Sequence, residues 1–385
     1  VTPLGVGIVG CGTISGTYLE LARLFRSIEV RAVADTRHEA ATAQAARYGV
    51  RALSVDALLA ADDIDIVVNL TVPDAHHAVT QAILAAGKHA YSEKPLALTL
   101  EEATALRTLA QGKGLRVGVA PDTFLGAAHQ QARAEIDAGG IGRVVAGTAH
   151  VLSHGMEHWH EAPDFFYRPG AGPMLDVGPY FVANLVQLVG PVRRVAALAS
   201  TPEPTRTILS APRRGEVIEV TTPTNIHALL DFASGATVTL STSWDVWAHR
   251  HGPLELYGTE GALFLPDPNW FGGTVEKAGS DGVIRPLAPW PHPFGQENQV
   301  RDEQPRANYR GAGLADMAQA IVEGRPHRCG LDLAVHVLDV LTAILVSGEE
   351  GRFVELATSC ERPAPLPPEA AVALMTEAAA TRLPA

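Results

Sequence analysis

Leu4-Gly5-Val6-Gly7-Ile8-Val9-Gly10-Cys11-Gly12-Thr13-Ile14-Ser15-Gly16 opens the chain. Its first half reads as a short buried strand and its second as a glycine-rich turn. A helical run, 18–26, follows at once. Strand, glycine turn and helix in that order are the context a dinucleotide fingerprint requires. Gly10 permits the tight turn and Gly12 lets the backbone approach a pyrophosphate. The amides that open the helix, around Thr13 and Ile14, then face the phosphates, where the helix dipole favours negative charge. The third glycine of the pattern is Ser15, small enough to be tolerated. A strand-to-helix turn that needs glycines for its geometry alone would read the same way, so a second signal is wanted.

Asp35 provides it. The residue ends the strand-like run Val30-Arg31-Ala32-Val33-Ala34, about 20 residues on, where a carboxylate accepts from the ribose 2′-hydroxyl. A carboxylate there repels a 2′-phosphate, which favours NAD. Arg37, one step beyond Thr36, softens that preference and keeps NADP as the alternative.

From residue 4 to about residue 120 the pattern alternates β-branched runs with Ala-rich helical runs. Strands are predicted at 6–9, 30–34, 66–70, 89–92 and 116–119, and helices at 17–25, 38–48, 55–60, 77–86 and 100–113. That alternation implies a parallel, doubly wound sheet in a dinucleotide-binding domain over 1–122. Beyond it the grammar changes. A helix is predicted at 127–138, a strand at 143–152, a helix at 174–189, then strands at 192–200, 216–221, 224–232, 237–244, 254–257 and 262–265. This reads as an α+β domain on a largely antiparallel sheet, 123–362. Segment 266–306, rich in Pro, Gly, Trp and charge, reads as a long excursion. Late helices are predicted at 311–323 and 331–347, and 363–385 as a Pro-rich linker into a terminal helix at 369–381.

Glu93-Lys94-Pro95 closes the strand-like run 88–92. A lysine at the carboxyl end of a strand, beside a dinucleotide, can polarise a hydroxyl or a carbonyl. The ring of Pro95 pushes Lys94 into an extended conformation. Taken singly, the tripeptide reads equally as a surface Lys-Pro. In the predicted helix 174–189, Asp176, Tyr180, Asn184 and Gln187 recur at spacings that share one face. The stripe is either a solvent face or the polar edge that a buried helix turns into a ligand cavity. A carboxylate, a phenol and two carboxamides suit a polyhydroxylated ligand. Before this helix comes the loop His154-Gly-Met-Glu-His158-Trp159-His160. Its spacing matches no metal motif, lacking HExxH and a Cys partner, and no metal is expected. It offers hydrogen bonders and a stacking ring to a substrate, or packs as an ordinary loop.

The turn Gly10-Cys11-Gly12, the tripeptide Glu93-Lys94-Pro95 and the run Gly172-Pro-Met-Leu-Asp-Val-Gly-Pro-Tyr180 together resemble the Gfo/Idh/MocA oxidoreductases. The resemblance implies an N-terminal Rossmann domain, a C-terminal domain with an open sheet often used for oligomer contacts, and a bound nicotinamide cofactor. It also implies sugars, cyclitols and related polyols as substrates, and a homodimer or homotetramer. By this resemblance Lys94 is the catalytic lysine, and Leu70, Thr71, Pro73, His76 and Glu93 are further cofactor contacts. Tyr180 stands where the family most often has His, as in the glucose–fructose oxidoreductase and dihydrodiol dehydrogenase branches. There that tyrosine is the proposed acid/base. Ala183 replaces the final Asp of the family pattern, while Asp176 is retained. Expected substrate contacts are Lys94, His154, His158, Trp159, Asp176, Tyr180 and Asn184.

A formal net charge of −12 argues against nucleic-acid or anionic-membrane partners, which want a basic face. The three cysteines, Cys11, Cys329 and Cys360, form no framework and read as free thiols in a reducing, cytoplasmic setting. The leading expectation is an NAD(P)-dependent sugar or polyol oxidoreductase. A redox-neutral hydrolase or lyase that uses NAD transiently is the second, and a non-catalytic sensor on the same fold the third.

Overall fold

A computed structural model describes residues 2–301 and 303–381. In the first domain the strands are β1 (Leu4–Val9), β2 (Ile28–Ala34), β3 (Arg51–Leu53), β4 (Ile66–Asn69), β5 (His89–Ser92) and β6 (Val117–Val119). They form one sheet in the order β3-β2-β1-β4-β5-β6, with every pair parallel. Parallel neighbours need crossovers. These are α1 (Thr13–Leu21), α2 (His38–Tyr48), α3 (Val55–Ala60), α4 (Pro73–Ala85) and α5 (Leu100–Lys113). Helices on both faces explain why Val6, Ile8, Val33, Val67 and Val68 are all buried. The strand order turns between β1 and β4, so a crevice opens at their carboxyl ends, where such folds bind ligands.

Three local differences from the sequence expectation matter. The first helix starts at Thr13 rather than 17, which puts Thr13 and Ile14 in its opening turn. The fourth starts at Pro73 rather than 77, since proline is preset for a first helical position. Strand β3 was not expected; three residues at the sheet edge are too few to show a period.

The second domain contains α6 (Ala127–Asp137), β7 (Val144–Leu152), α7 (Gly172–Asp176), α8 (Gly178–Val189), β8 (Val192–Ser200), β9 (Thr205–Thr207), β10 (Val217–Glu219), β11 (Asn225–Phe232), β12 (Thr237–Ser243), β13 (Leu254–Gly258), β14 (Ala262–Leu265), β15 (Glu276–Ala278) and β16 (Arg285–Pro286). It continues through β17 (Gln299–Arg301), β18 (Gln304–Arg306), α9 (Ala312–Glu323), α10 (Leu331–Glu350), β19 (Val354–Glu355), α11 (Pro368–Val372) and α12 (Glu377–Ala380). Nine strands pair in the order β16-β15-β14-β13-β7-β12-β11-β8-β19. All pairs are antiparallel except β7 with β12. One face is packed and the other open, as the alternation in β11 shows: Ile226, Ala228 and Leu230 are buried, His227 and Leu229 exposed.

The predicted helix 174–189 is broken at Val177 into α7 and α8. Pro179 has no N–H for the carbonyl four residues back, and its ring clashes there. Residues 216–221 do not join the main sheet; β10 pairs with β9 instead. The excursion 266–306 adds β15 and β16 to the sheet edge and then a β17–β18 hairpin. The terminal helix expected at 369–381 is two short helices, α11 and α12, and the chain around them docks on the first domain. There Arg26 N donates to Leu374 O (3.0 Å) and Thr376 N to Leu24 O (2.9 Å). Helix α10 is long and apolar enough to cross a membrane, but most of its apolar stretch lies inside the protein. It packs on α5, α8 and β8, joining the two domains.

Candidate active site

The glycine turn is held by sterics. Gly10 has φ +101°, and a Cβ there would lie 2.5 Å from Leu70 O and 2.8 Å from Thr71 N. Leu70 and Thr71 thus abut the turn through their backbone. A Cβ on Gly12, by contrast, would meet nothing within 4 Å. Gly12 and Thr13 are exposed, and no side chain caps α1. The first amides of the helix are therefore open to an anion. Ser15, in the third glycine's place, is buried and donates its hydroxyl to Gly12 O at 2.6 Å.

Asp35 is fixed at the end of β2 by two amides: Cys11 N donates to Oδ2 and Arg37 N to Oδ1, each at 2.8 Å. A carboxylate has about four lone-pair directions, so acceptor capacity remains for ribose hydroxyls. Thr36 and Arg37 are exposed beside it. Glycine turn, open amides and carboxylate together fit a dinucleotide.

At the end of β5, Lys94 reaches across the domain junction. Its Nζ donates to Asp176 O (2.6 Å) and to Asp176 Oδ1 (2.8 Å). Burial opposes the ammonium, but Asp176, Tyr180 and Glu93 outweigh it and push Lys94 above the usual lysine range. The side chain is still 16% exposed. Tyr180, in the first turn of α8, lies with its ring centroid 5.6 Å from Lys94 Nζ. Glu93 points the other way, accepting from Tyr18 OH at 2.9 Å and from Lys94 N at 3.1 Å. Tyr18 is buried, and burial together with the Glu93 carboxylate keeps its phenol protonated.

His76 is buried with its ring between two carbonyls, Pro95 O (2.6 Å) and Thr71 O (3.0 Å). It braces the segments flanking Lys94 and the glycine turn rather than facing solvent. Pro73 begins the same helix.

The polar stripe divides. Asp176 and Tyr180 are partly exposed at the site, whereas Asn184 and Gln187 are fully buried. Asn184 Nδ2 meets His129 Nδ1 (3.0 Å) and Asn184 Oδ1 accepts from Gln187 (2.9 Å). Asn184 is thus an interior hydrogen bonder, buried against His129 of α6 further along the same helix that carries Tyr180. In the loop before α7, His154 stacks on Trp247 with centroids 3.4 Å apart. His158 and Trp159 are exposed. Glu157, just ahead of them, is buried, accepting from Tyr167 OH and pairing with Arg206 at 3.3 Å.

The sequence reading missed Arg310, Trp270 and Asp122. Arg310 is a second cation beside Tyr180, its guanidinium carbon 5.9 Å from that ring centroid and 5.6 Å from that of Trp270. Asp122 is buried and accepts from Gly311 N (2.8 Å) and Gly313 N (3.0 Å). Burial raises its carboxyl to about 6, against the downward pull of those amides and Arg310. The available signal was an Arg-Gly pair just ahead of a predicted helix, inside a segment that no motif singled out. Behind Lys94 is a small apolar cavity of about 20 Å³, lined by Ala183 among others, roughly the room one water needs. Ala183 thus presents no acid to the lysine.

Two family models match the chain. One, described as the oxidoreductase family with an NAD-binding Rossmann fold, covers residues 4–120; the other, the GFO/IDH/MocA C-terminal domain, covers residues 129–264. The 1,5-anhydro-D-fructose reductase of Ensifer adhaerens is 32% identical over 177 residues, 44% of this chain. That match spans about half, 52%, of the relative's length. The levoglucosan dehydrogenase of Pseudarthrobacter phenanthrenivorans is 28% identical over 287 residues, 68% of this chain and 73% of that protein. An NAD binding oxidoreductase from Klebsiella pneumoniae has a solved structure that aligns at TM-score 0.80 and 23% identity. It covers 93% of this chain and 100% of that one, a likeness of fold.

Proposed function

The chain belongs to the GFO/IDH/MocA oxidoreductase family, and from that premise we propose that it interconverts a hydroxyl and a carbonyl on a sugar, cyclitol or related polyol, with NAD as partner. The observation that carries this is the meeting of Lys94, Asp176 and Tyr180 at the carboxyl end of β5, with Lys94 Nζ 2.8 Å from Asp176 Oδ1. Gly12, the opening turn of α1 and Asp35 would hold NAD, which supplies the hydride acceptor or donor.

Lys94 acts as an ammonium. Asp176 holds two of its N–H bonds and keeps the charge in place, so the third is available to polarise the substrate oxygen. An amine so held is a poor base, and the proton passes to or from the Tyr180 hydroxyl instead. Asp176 orients Lys94 and, through its remaining acceptor capacity, a neighbouring substrate hydroxyl. His154, on the loop that leads into α7, is the further substrate contact we propose; His158 and Trp159 on the same loop border the entrance. Asp35 favours NAD over NADP. The open sheet face, where Leu198 is 75% and Leu229 45% exposed, is the surface through which copies pair as a dimer or tetramer. Three unpaired cysteines suit the cytoplasm.

The test is a panel of sugars and cyclitols with NAD or NADP, read at the NADH absorbance band in both directions. At least one substrate is expected to give net turnover. Lys94→Met and Tyr180→Phe should each lower kcat by roughly 10²–10⁴-fold, with NADH binding, followed by fluorescence, retained. Tight NADH binding with no net turnover in either direction would overturn the reading in favour of transient-NAD hydrolysis or elimination.

A further inference from the structure

We propose that Arg310 is the positioning residue of Tyr180, holding the phenol oxygen and balancing its negative charge when the proton has left. The proposal rests on the reading that Tyr180 exchanges a proton with substrate. In the oxidative direction the substrate O–H bond breaks and a tyrosine O–H bond forms, so the phenolate must exist beforehand. The charge that step needs is met by two cations.

Lys94 Nζ lies 5.6 Å from the Tyr180 ring centroid and the Arg310 guanidinium carbon 5.9 Å from it. The charged and titratable groups around the phenol are Lys94 with Asp176, Arg310, and behind them Glu93 and Asp122. Arg310 cannot turn away from this place. Its NH1 donates to Asn308 Oδ1 (3.1 Å), and its NH2 to Asn269 O (3.1 Å) and Asn269 Oδ1 (2.6 Å). Trp270 stacks against the same guanidinium. Burial works against the cation, yet neighbouring Tyr180, Asp122 and Glu93 push it above its usual range. A planar guanidinium retains its proton and fixes direction as an ammonium does not.

The backbone around Arg310 is anchored as firmly. Asp122 accepts from Gly311 N and Gly313 N. On the other side His129 Nε2 meets Trp270 O at 2.9 Å, while its Nδ1 meets Asn184. Asn184 is one turn along the helix that carries Tyr180, so through His129 α8 ties down the Asn269–Trp270 loop that grips the Arg310 guanidinium. The buried half of the polar stripe thereby gains a purpose.

The test reads Tyr180 directly. Ultraviolet titration of the protein minus that of Tyr180→Phe isolates one phenolate band, and the same pair is recorded with Arg310→Met. The midpoint should move upward by about one pH unit or more in Arg310→Met, and by less in Arg310→Lys. With a working substrate, Arg310→Met should lower kcat about 30-fold or more with little change in KM. In the Tyr180→Phe background it should cost less than about twofold, because the two residues act as one unit. Exogenous methylguanidinium should restore part of the loss. An unmoved midpoint, or an equal cost with and without Tyr180, overturns the proposal and leaves Arg310 as a tether of the excursion. A moved midpoint in a protein that turns over no polyol would sink the proposed reaction and leave the Arg310–Tyr180 pairing standing. Should Arg310→Met fail to fold by circular dichroism, Arg310→Lys, which keeps charge and stem, carries the comparison.

Discussion

The two sides of the candidate active site are built from different materials. On the phosphate side the parts are backbone: the turn at Gly10, the open amides of α1, and a carboxylate fastened by the amides of Cys11 and Arg37. On the tyrosine side the parts are side chains brought from distant elements. Lys94 comes from the end of β5, Asp176 and Tyr180 from either side of a helix break, and Arg310 from the turn just before α9. The first kind of site is specified by short-range sterics and tolerates little variation at a few positions. The second depends on the docking of whole elements, and its chemistry can be altered without disturbing any one of them.

The sharpest way to break this contrast is a pair of alanines two residues apart on the phosphate side. Gly10→Ala would place a Cβ 2.5 Å from Leu70 O at a φ that side chains rarely adopt. It should cost on the order of 3 kcal/mol or more of stability and abolish NADH binding. Gly12→Ala, whose Cβ would meet open space, should leave the melting temperature nearly unchanged while weakening NADH roughly tenfold or more, about 1.4 kcal/mol. Equal melting temperatures for the two variants would contradict the steric account of the turn.

A smaller effect is expected at Asp35. Asp35→Ser removes the carboxylate that repels a 2′-phosphate and leaves Arg37 beside the site. The ratio of NAD to NADP affinity should fall by about tenfold, measured by titrating each reduced cofactor. No change would mean that the carboxylate's amide bonds to Cys11 and Arg37 are its whole role.

An effect confined to stability lies on the tyrosine side. Burial raises the Asp122 carboxyl to about 6, so the folded protein keeps this proton to higher pH than the unfolded chain does. Its contribution to stability is therefore lost as pH rises from about 4 to 6. His129 and His292, buried and lowered to about 4, act in the opposite sense: the unfolded chain takes up protons that the folded one refuses. Asp122→Asn keeps an oxygen for both glycine amides and removes only the first contribution. Between pH 4 and 7 the wild type should lose roughly 1–3 kcal/mol relative to this variant, read from urea midpoints. Parallel curves would show that Asp122 is ionised throughout.

Much of the first domain could be read in advance because its information is local. Strands β1, β4 and β6 are buried along nearly their whole length and announce themselves as Val- and Ile-rich runs. The glycine turn and Asp35 keep their spacing whatever the rest of the chain does. The reading failed where packing decided which part of a polar stripe stays open. Tyr180, Asn184 and Gln187 share the unbroken helix α8, yet Asn184 and Gln187 are buried against His129 of α6. Only Tyr180 and, across the break, Asp176 stayed at the site. It failed again at 266–306, where no periodicity marked strands of two or three residues that form only against an existing sheet edge.

The sequence by itself determined the doubly wound sheet, the dinucleotide turn with its acidic partner, and the lysine at the end of β5, because each depends on neighbours within a few tens of residues. Only the tertiary structure decided which groups stand around Tyr180. The pairing of Lys94 with Asp176, the placing of Arg310 and the burial of Asn184 follow from how α8, the excursion and the first domain pack together, and packing between elements leaves no periodic mark on the chain.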